Sequence, residues 1–487
     1  MSTKYFKSFN RILILNMIAI IVLGMSNCKD DDEPTPPSFN DGCYPPAVAE
    51  IIVKKCANSG CHNTQSKDAA SGLDLSSWEK MFLGNGSGAT TIPYRSDQST
   101  LCYFTNTDST LGIVQIPNMP YNGTPLSQAE YLTLRDWIDA GAPNCEGFVK
   151  FSDDPSRKKF YITNQGCDLV GVHDAETKVI MRFIDVGNSP VIESPHMVRV
   201  SPDGQFWYVS FINSNVFQKF RTSDDVKVGE VNITQGSWNT FAISPDGTKA
   251  WVVDFSSNGR VAYVNLQTMS LEMMYQGPGL FTSPHGSALS QDGNTLYVTA
   301  QLGDIIYKGD VTDPMNPDFE EIIINSSGSP AAAPHEIAFS PDGSKYFITC
   351  SGRHEIRVFN STDDAFIAAI PTAEQPLEMS FSSDNNYLFV TCQSGNAVTV
   401  IDYTNLTAIK DITVGHLPHG VAVDEVKNQV YVTNRNLENS GGPPPHHTSS
   451  CGGWNGYLTI IDMTTLELVP GFKHELSVDP YSVSVRN

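Results

Sequence analysis

Residues 54–63 read KKCANSGCHN. Two thiols, Cys56 and Cys61, flank the four residues ANSG, and His62 follows the second thiol directly. In an exported chain such a group can do one of two things. The thiols can close a disulfide, leaving the histidine on the surface. Alternatively, they can add to the two vinyl groups of a haem while the imidazole reaches the iron. The usual attachment spacing is C-x-x-C-H, so the gap here is the longer variant. A haem iron held by His62 on one face needs a second ligand on the other. The candidate is Met119 in the loop IPNMPYNG, whose thioether would favour Fe(II) and raise the potential. Met81 is the rival, with core filling as its other role.

The elements that must position these groups can be read around them. PPAVAEIIVKKC has Val48, Ile51, Ile52 and Lys55 at helical spacing, with prolines at the start, where a helix accepts them. This helix runs into Cys56. Further on, TPLSQAEYLTLRDWIDAGAP carries a capping box, Ser127 with Glu130. Tyr131, Leu134, Trp137 and Ile138 give that helix an apolar stripe, and Gly141 and Pro143 end it. Between the two helices lies mostly Gly-, Ser-, Asn- and Pro-rich loop. A segment so built makes a poor core unless something fills it. Cys43 and Cys145 bracket residues 43–148 and could pair, leaving Cys102 over.

This segment resembles a class I c-type cytochrome domain: an N-terminal helix into C-x4-C-H, a Met-Pro loop, and a last helix ending WIDAGA. Four-residue gaps occur in some multihaem members. The resemblance implies one covalent haem c. Cys56 and Cys61 would form the thioethers, and His62 and Met119 would be the axial ligands. It also implies single-electron transfer with a redox protein partner.

Residues 150–487 repeat with a period of about 45, in the range of propeller blades. The phrases are MVRVSPDGQFWYVS, TFAISPDGTKAWVV, SALSQDGNTLYVT, EIAFSPDGSKYFIT, EMSFSSDNNYLFVT and the degenerate GVAVDEVKNQVYVT. Asp-Gly is a hairpin signal, and its flanks read as strands. The phrases resemble the YVTN family of β-propellers, a motif specific for fold and poor for function. Second strands centre on Tyr161, Tyr208, Trp251, Tyr297, Phe347, Phe389 and Tyr431, which predicts seven blades. The first of these lacks an innermost strand, and DPYSVSVRN is an innermost strand with nothing after it. Residues 481–485 are therefore expected to close the blade begun at residue 159, leaving no exposed edge.

The same alignment puts His196, Asn239, His285, His335, Leu377, His419 and Tyr481 at the starts of the innermost strands, around one channel mouth. The enlarged loop of the seventh blade adds His446, His447, Cys451 and Trp454 to that face, and His354 lies on a corresponding loop. Converging neutral imidazoles could bind a transition metal or a second cofactor. The other reading makes Pro-His a structural turn. Cys451 could pair with Cys167 across the closure seam, or act as a soft metal ligand beside His446 and His447. Cys350 and Cys392 occupy matching positions in neighbouring blades, too far apart for easy bonding, and are expected to be free buried thiols.

With 31 Lys+Arg against 53 Asp+Glu the formal charge is −22. Such a surface repels phosphate backbones, which excludes nucleic acid as partner and suits a basic protein or plain solubility. Residues 1–27 read as a signal peptide: Lys4, Lys7 and Arg11 precede ILILNMIAIIVLG, short for a membrane-spanning helix. Then comes MSNC, in which Cys28 would be the lipidated N-terminus. Residues 28–42 are an acidic, proline-rich tether. The expected product is a multidomain chain: a small α-helical cytochrome c-like domain, then an all-β seven-bladed propeller closed by its C-terminal strand. Its expected location is the outer membrane or cell surface as a lipoprotein, otherwise the periplasm, with the membrane reached through the lipid alone. Two functions remain open. One is a lipid-anchored monohaem electron carrier whose propeller docks a partner or holds a redox cofactor, a component of an oxidoreductase. The other is a propeller-based binding or scaffold lipoprotein whose leading module is a disulfide domain without haem. No nucleophile with its base, phosphate loop or carboxylate pair at revealing spacing points to a substrate.

Overall fold

The repeated Ser-x-Asp-Gly phrase makes the same turn in successive blades. The Ser201 hydroxyl donates to Asp203 Oδ1 at 2.5 Å, and the Gln205 amide donates to that oxygen at 3.0 Å. Ser244 with Asp246, Ser290 with Asp292 and Ser340 with Asp342 repeat the arrangement. Gly204, at φ +70°, supplies the left-handed step that the turn requires. Each turn joins an innermost strand to a second strand, and the result in the computed structural model is seven antiparallel sheets, six of four strands and one of five. The structure describes residues 41–437 and 451–486. The proposed signal peptide, Cys28, most of the tether, His446 and His447 lie outside the described residues.

Second strands are buried throughout in Lys159–Asn164 and in all but the first residue of the others, because neighbouring blades cover both of their faces. Outermost strands such as Phe366–Pro371 are mostly exposed. In the first blade, Pro480–Arg486 pairs antiparallel with Lys159–Asn164, with Lys159 opposite Arg486 and Phe160 opposite Val485. The ring is thus closed by the C-terminal strand, as its sequence led us to expect.

Neighbouring blades are stapled by hydroxyls. Thr163 Oγ1 donates to the carbonyl of His196 at 3.1 Å and Ser210 Oγ to that of Asn239 at 2.9 Å. Thr299, Thr349, Thr391 and Thr433 do the same to His335, Leu377, His419 and Tyr481. Where the third blade has Val253 instead, Thr240 of its innermost strand reaches the His285 carbonyl. A buried ion pair ties blades one and two together: Lys159 Nζ lies 2.7 Å from Asp225 Oδ2, and the Tyr161 hydroxyl and Trp207 indole donate to Asp225 Oδ1.

The leading segment begins with the helix Pro46–Ile51, which widens into a π turn, Ile52–Cys56. Short helices Trp78–Met81 and Thr100–Thr105 follow, then the closing helix Gln128–Asp139. The Ser127–Glu130 capping box is formed in full, and Tyr131, Leu134, Trp137 and Ile138 are buried. Cys43 and Cys145 are disulfide-bonded and tie the segment's ends together. Its core continues into the first blade, where Val179 and Met181 pack with Trp78 and Leu134, while Ile92 joins the propeller's own cluster. Cys167 and Cys451 form the seam disulfide. Cys350 and Cys392 are buried free thiols, as is Cys102. Among the described residues no helix is long and apolar enough to cross a membrane.

Candidate functional site

The π turn delivers Cys56 to the inside of the leading segment, 5% exposed, while Val48, Ala49, Ile51 and Ile52 bury the helix that carries it. The longer cysteine gap is absorbed by backbone bonding. The Cys61 amide donates to the Asn58 carbonyl at 3.0 Å, and the His62 amide donates to the Cys56 carbonyl at 3.1 Å. Gly60, at φ +82°, permits the loop between them. The extra residues therefore bulge outward, and His62 is returned beside Cys56. Cys56 and Cys61 are both free thiols. The disulfide that would explain this motif without a cofactor is not formed, although Cys43–Cys145 and Cys167–Cys451 are.

Both thiols and His62 line a cavity of about 880 Å³, a volume within the range of cofactor pockets. Met119 lines it too. Its amide is strapped to the Phe104 carbonyl at 2.7 Å, and Asn118 Nδ2 fixes the same loop through the Asn106 carbonyl at 2.9 Å. Met81 is not in the cavity wall; it is core, with the Thr91 hydroxyl 3.4 Å from its sulfur. Much of the remaining lining is apolar, including Leu73, Leu101, Phe104 and Ile116.

Burial pushes the Cys56 thiol up to about 12, with Cys61 adding to the effect, so Cys56 is a protonated thiol. Burial also lowers the His62 imidazole below its ordinary value, opposed by the Leu73 backbone. A neutral imidazole has a lone pair for a metal. His62 Nδ1 is buried without a hydrogen-bond partner.

Five residues of the cavity wall come from the propeller: Ile180 and Phe183 of the first blade, and Asn455, Glu475 and Leu476 of the seventh. Sequence reasoning missed all five. The available cue was the strand His474–Val478, one more than a four-stranded blade needs; it pairs with Asn455–Asp462, and the Glu475 amide donates to the Ser87 carbonyl at 2.7 Å.

The channel residues form a second cluster. His196, His285, His335, His419 and Tyr481 are all buried, and their rings close a cycle. Centroid separations are 5.9 Å from His196 to His285, 3.9 Å to His335, 5.7 Å to His419, 3.5 Å to Tyr481 and 4.2 Å back to His196. Asn239 and Leu377 are buried in the same tier. Burial lowers His285 to about 4, and holds His196, His335 and His419 well below the usual histidine value, with neighbouring imidazoles and Arg435 adding to it. One step along the channel, burial raises the carboxyls of Glu336 and Glu378, and Glu378 further raises Glu336. Arg199 Nη2 lies 4.0 Å from Glu336 and opposes this. The sequence suggested that these imidazoles could converge on a metal. Their rings pack on one another and on Tyr481; among the described residues, which leave out His446 and His447, no three His, Cys, Asp or Glu side chains are disposed to hold a metal ion. Cys451 is committed to its disulfide. His354 stands apart from the ring on an exposed loop, accepting the Gln375 amide at 3.0 Å.

No protein-family model matches the chain, and no curated protein matches it. Among solved structures, it is similar to a functionally unknown protein from Desulfotomaculum acetoxidans, with TM-score 0.54 and 14% identity over 67% of this chain and 98% of that one. The periplasmic gluconolactonase of Pseudomonas aeruginosa gives TM-score 0.53 and 16% identity, over 68% of this chain and 99% of that one. A dihydro-heme d1 dehydrogenase in complex with DHE gives TM-score 0.49 and 14% identity, over 86% and 97%. At these identities the likeness is one of fold.

Proposed function

We propose that the chain is a monohaem c-type electron carrier, exported and held to a membrane by lipid on Cys28. The observation that carries this reading is the coincidence of two unbonded thiols, His62 and Met119 on one cavity of about 880 Å³. The residues fit the group. Cys56 and Cys61 would hold it through thioethers, and His62 and Met119 would be its axial ligands. When bound, a haem supplies a one-electron Fe(III)/Fe(II) couple.

The chain's own residues do the rest. The π turn and the His62–Cys56 backbone bond fix the spacing of thiols and imidazole. The straps to Phe104 and Asn106 hold the Met119 loop. The apolar lining keeps water away, which disfavours the more highly charged iron state. Two disulfides agree with an oxidising compartment, where such attachment takes place. The net charge of −22 suits a basic redox protein as partner.

A second reading is favoured by the closed core of the leading segment, with Trp78, Leu134 and Ile138 buried and Cys43–Cys145 bonded. On that reading the segment is a disulfide module, and the propeller a binding surface. Expression with the c-type maturation system and a reduced pyridine haemochrome spectrum separates the two. The electron-carrier reading expects a covalent haem signal that Cys61→Ala reduces, and a low-spin spectrum lost in Met119→Ala but kept in Met81→Ala. A properly matured sample without colour would overturn it.

A further inference from the structure

The propeller contributes more than apolar surface to the cavity. Glu475 is the one carboxylate among the described residues that line it. It stands in the strand His474–Val478, opposite Tyr457, and its backbone is tied to Ser87 of the leading segment. Asn455 Nδ2 donates to Glu475 Oε1 at 2.9 Å. Asn455 also lines the cavity, 6% exposed, and its Oδ1 has no hydrogen-bond partner. The lining's one amine, Lys55, is paired 2.5 Å away with Glu130. Beside Glu475 and Asn455, the propeller wall is the apolar group Leu476, Ile180 and Phe183.

We propose that the propeller sets the reduction potential of the iron in the leading segment, through the Glu475 carboxylate held by Asn455 and through the shield formed by Phe183 and Leu476. This rests on the haem reading above. The physics gives the two features opposite signs. A carboxylate in a cavity of low dielectric stabilises the more positive Fe(III) state and lowers the potential. An apolar shield keeps water from stabilising Fe(III) and raises it. Glu475 is a positioning residue in the electrostatic sense: it bonds neither the iron nor the thioethers.

The test is an equilibrium redox titration, followed by visible absorbance, of the full-length matured protein and of two variants. Glu475→Gln keeps the shape and removes the charge. It is expected to favour Fe(II) by about tenfold, about 59 mV upward for a one-electron couple. Phe183→Ala admits water and is expected to move the midpoint downward. Opposite shifts support the proposal, because general loosening of the site would move both variants the same way. A Glu475→Gln midpoint equal to wild type, or two shifts of the same sign, would overturn it while leaving the haem assignment intact. A wild-type protein without a haemochrome spectrum would overturn both.

Discussion

The hydroxyl of Thr433 donates to the carbonyl of Tyr481 at 2.9 Å, from the seventh blade to the strand that completes the first. The same staple recurs around the ring, and here it holds the strand whose pairing with Lys159–Asn164 is made by hydrogen bonds alone, with no turn joining the two. Removing Pro480–Arg486 leaves Lys159–Asn164 without its inner neighbour and opens the ring. The shortened chain is expected to lose its cooperative thermal transition by circular dichroism and to become protease-sensitive across all blades. Thr433→Val alone leaves a buried carbonyl short of a donor, and should cost about 1–3 kcal/mol in denaturant melts.

The ion pair of Lys159 and Asp225 is buried on both sides, 4% exposed at each side chain. Asp225→Ala would strand the ammonium and leave the Tyr161 hydroxyl and Trp207 indole without their acceptor. A loss of about 3–5 kcal/mol is expected. Restoring a neutral, matched pair with Lys159→Met should recover part of it, a coupling that a double-mutant cycle reads directly.

The seam disulfide Cys167–Cys451 joins residues 284 positions apart. Cross-linking so long a segment restricts the unfolded chain, and Cys167→Ser is expected to cost about 2–5 kcal/mol. Reducing agent should lower the wild-type midpoint and leave that variant's less changed.

Acid should unfold the propeller from its channel. His285 is lowered from 6.5 to about 4 by burial, so the unfolded chain binds more protons than the folded one between those values. Stability is therefore full above pH 6.5 and falls as pH drops towards 4. His196, His335 and His419 are shifted the same way and extend the loss to lower pH. The Glu336 and Glu378 carboxyls, raised by burial, act oppositely: folding keeps their protons, and that contribution is lost as pH rises above the ordinary carboxylate range. Melting temperature against pH should decline on both sides. His419→Gln should flatten the acid limb, and Glu336→Gln the alkaline one.

What the sequence made legible follows from how locally each feature is written. An Asp-Gly turn needs only its own side chain and a positive φ, so the blades could be counted and the missing innermost strand noticed. The Ser127–Glu130 capping box is equally local. The free state of Cys350 and Cys392 followed from register alone. Features made by distant residues were not legible. Phe183 and Glu475 read as ordinary strand positions, and nothing near them in the chain says that they line a cavity with Met119. The histidine ring lies between these cases. Register placed His196, His285, His335 and His419 around one mouth, but whether imidazoles aim their nitrogens at a common point or stack face to edge depends on rotamers, which spacing does not encode.

Because Pro480–Arg486 is translated after every other described strand and yet belongs to the earliest blade, the circle cannot form while the polypeptide is still emerging. Until that strand is made, the blades can form only an open row. Cys56 and Cys61 are made long before Glu475 and Leu476, which complete the wall of the cavity they line. The order of the strands along the chain thus makes the leading segment first and the last piece of its cavity wall near the end.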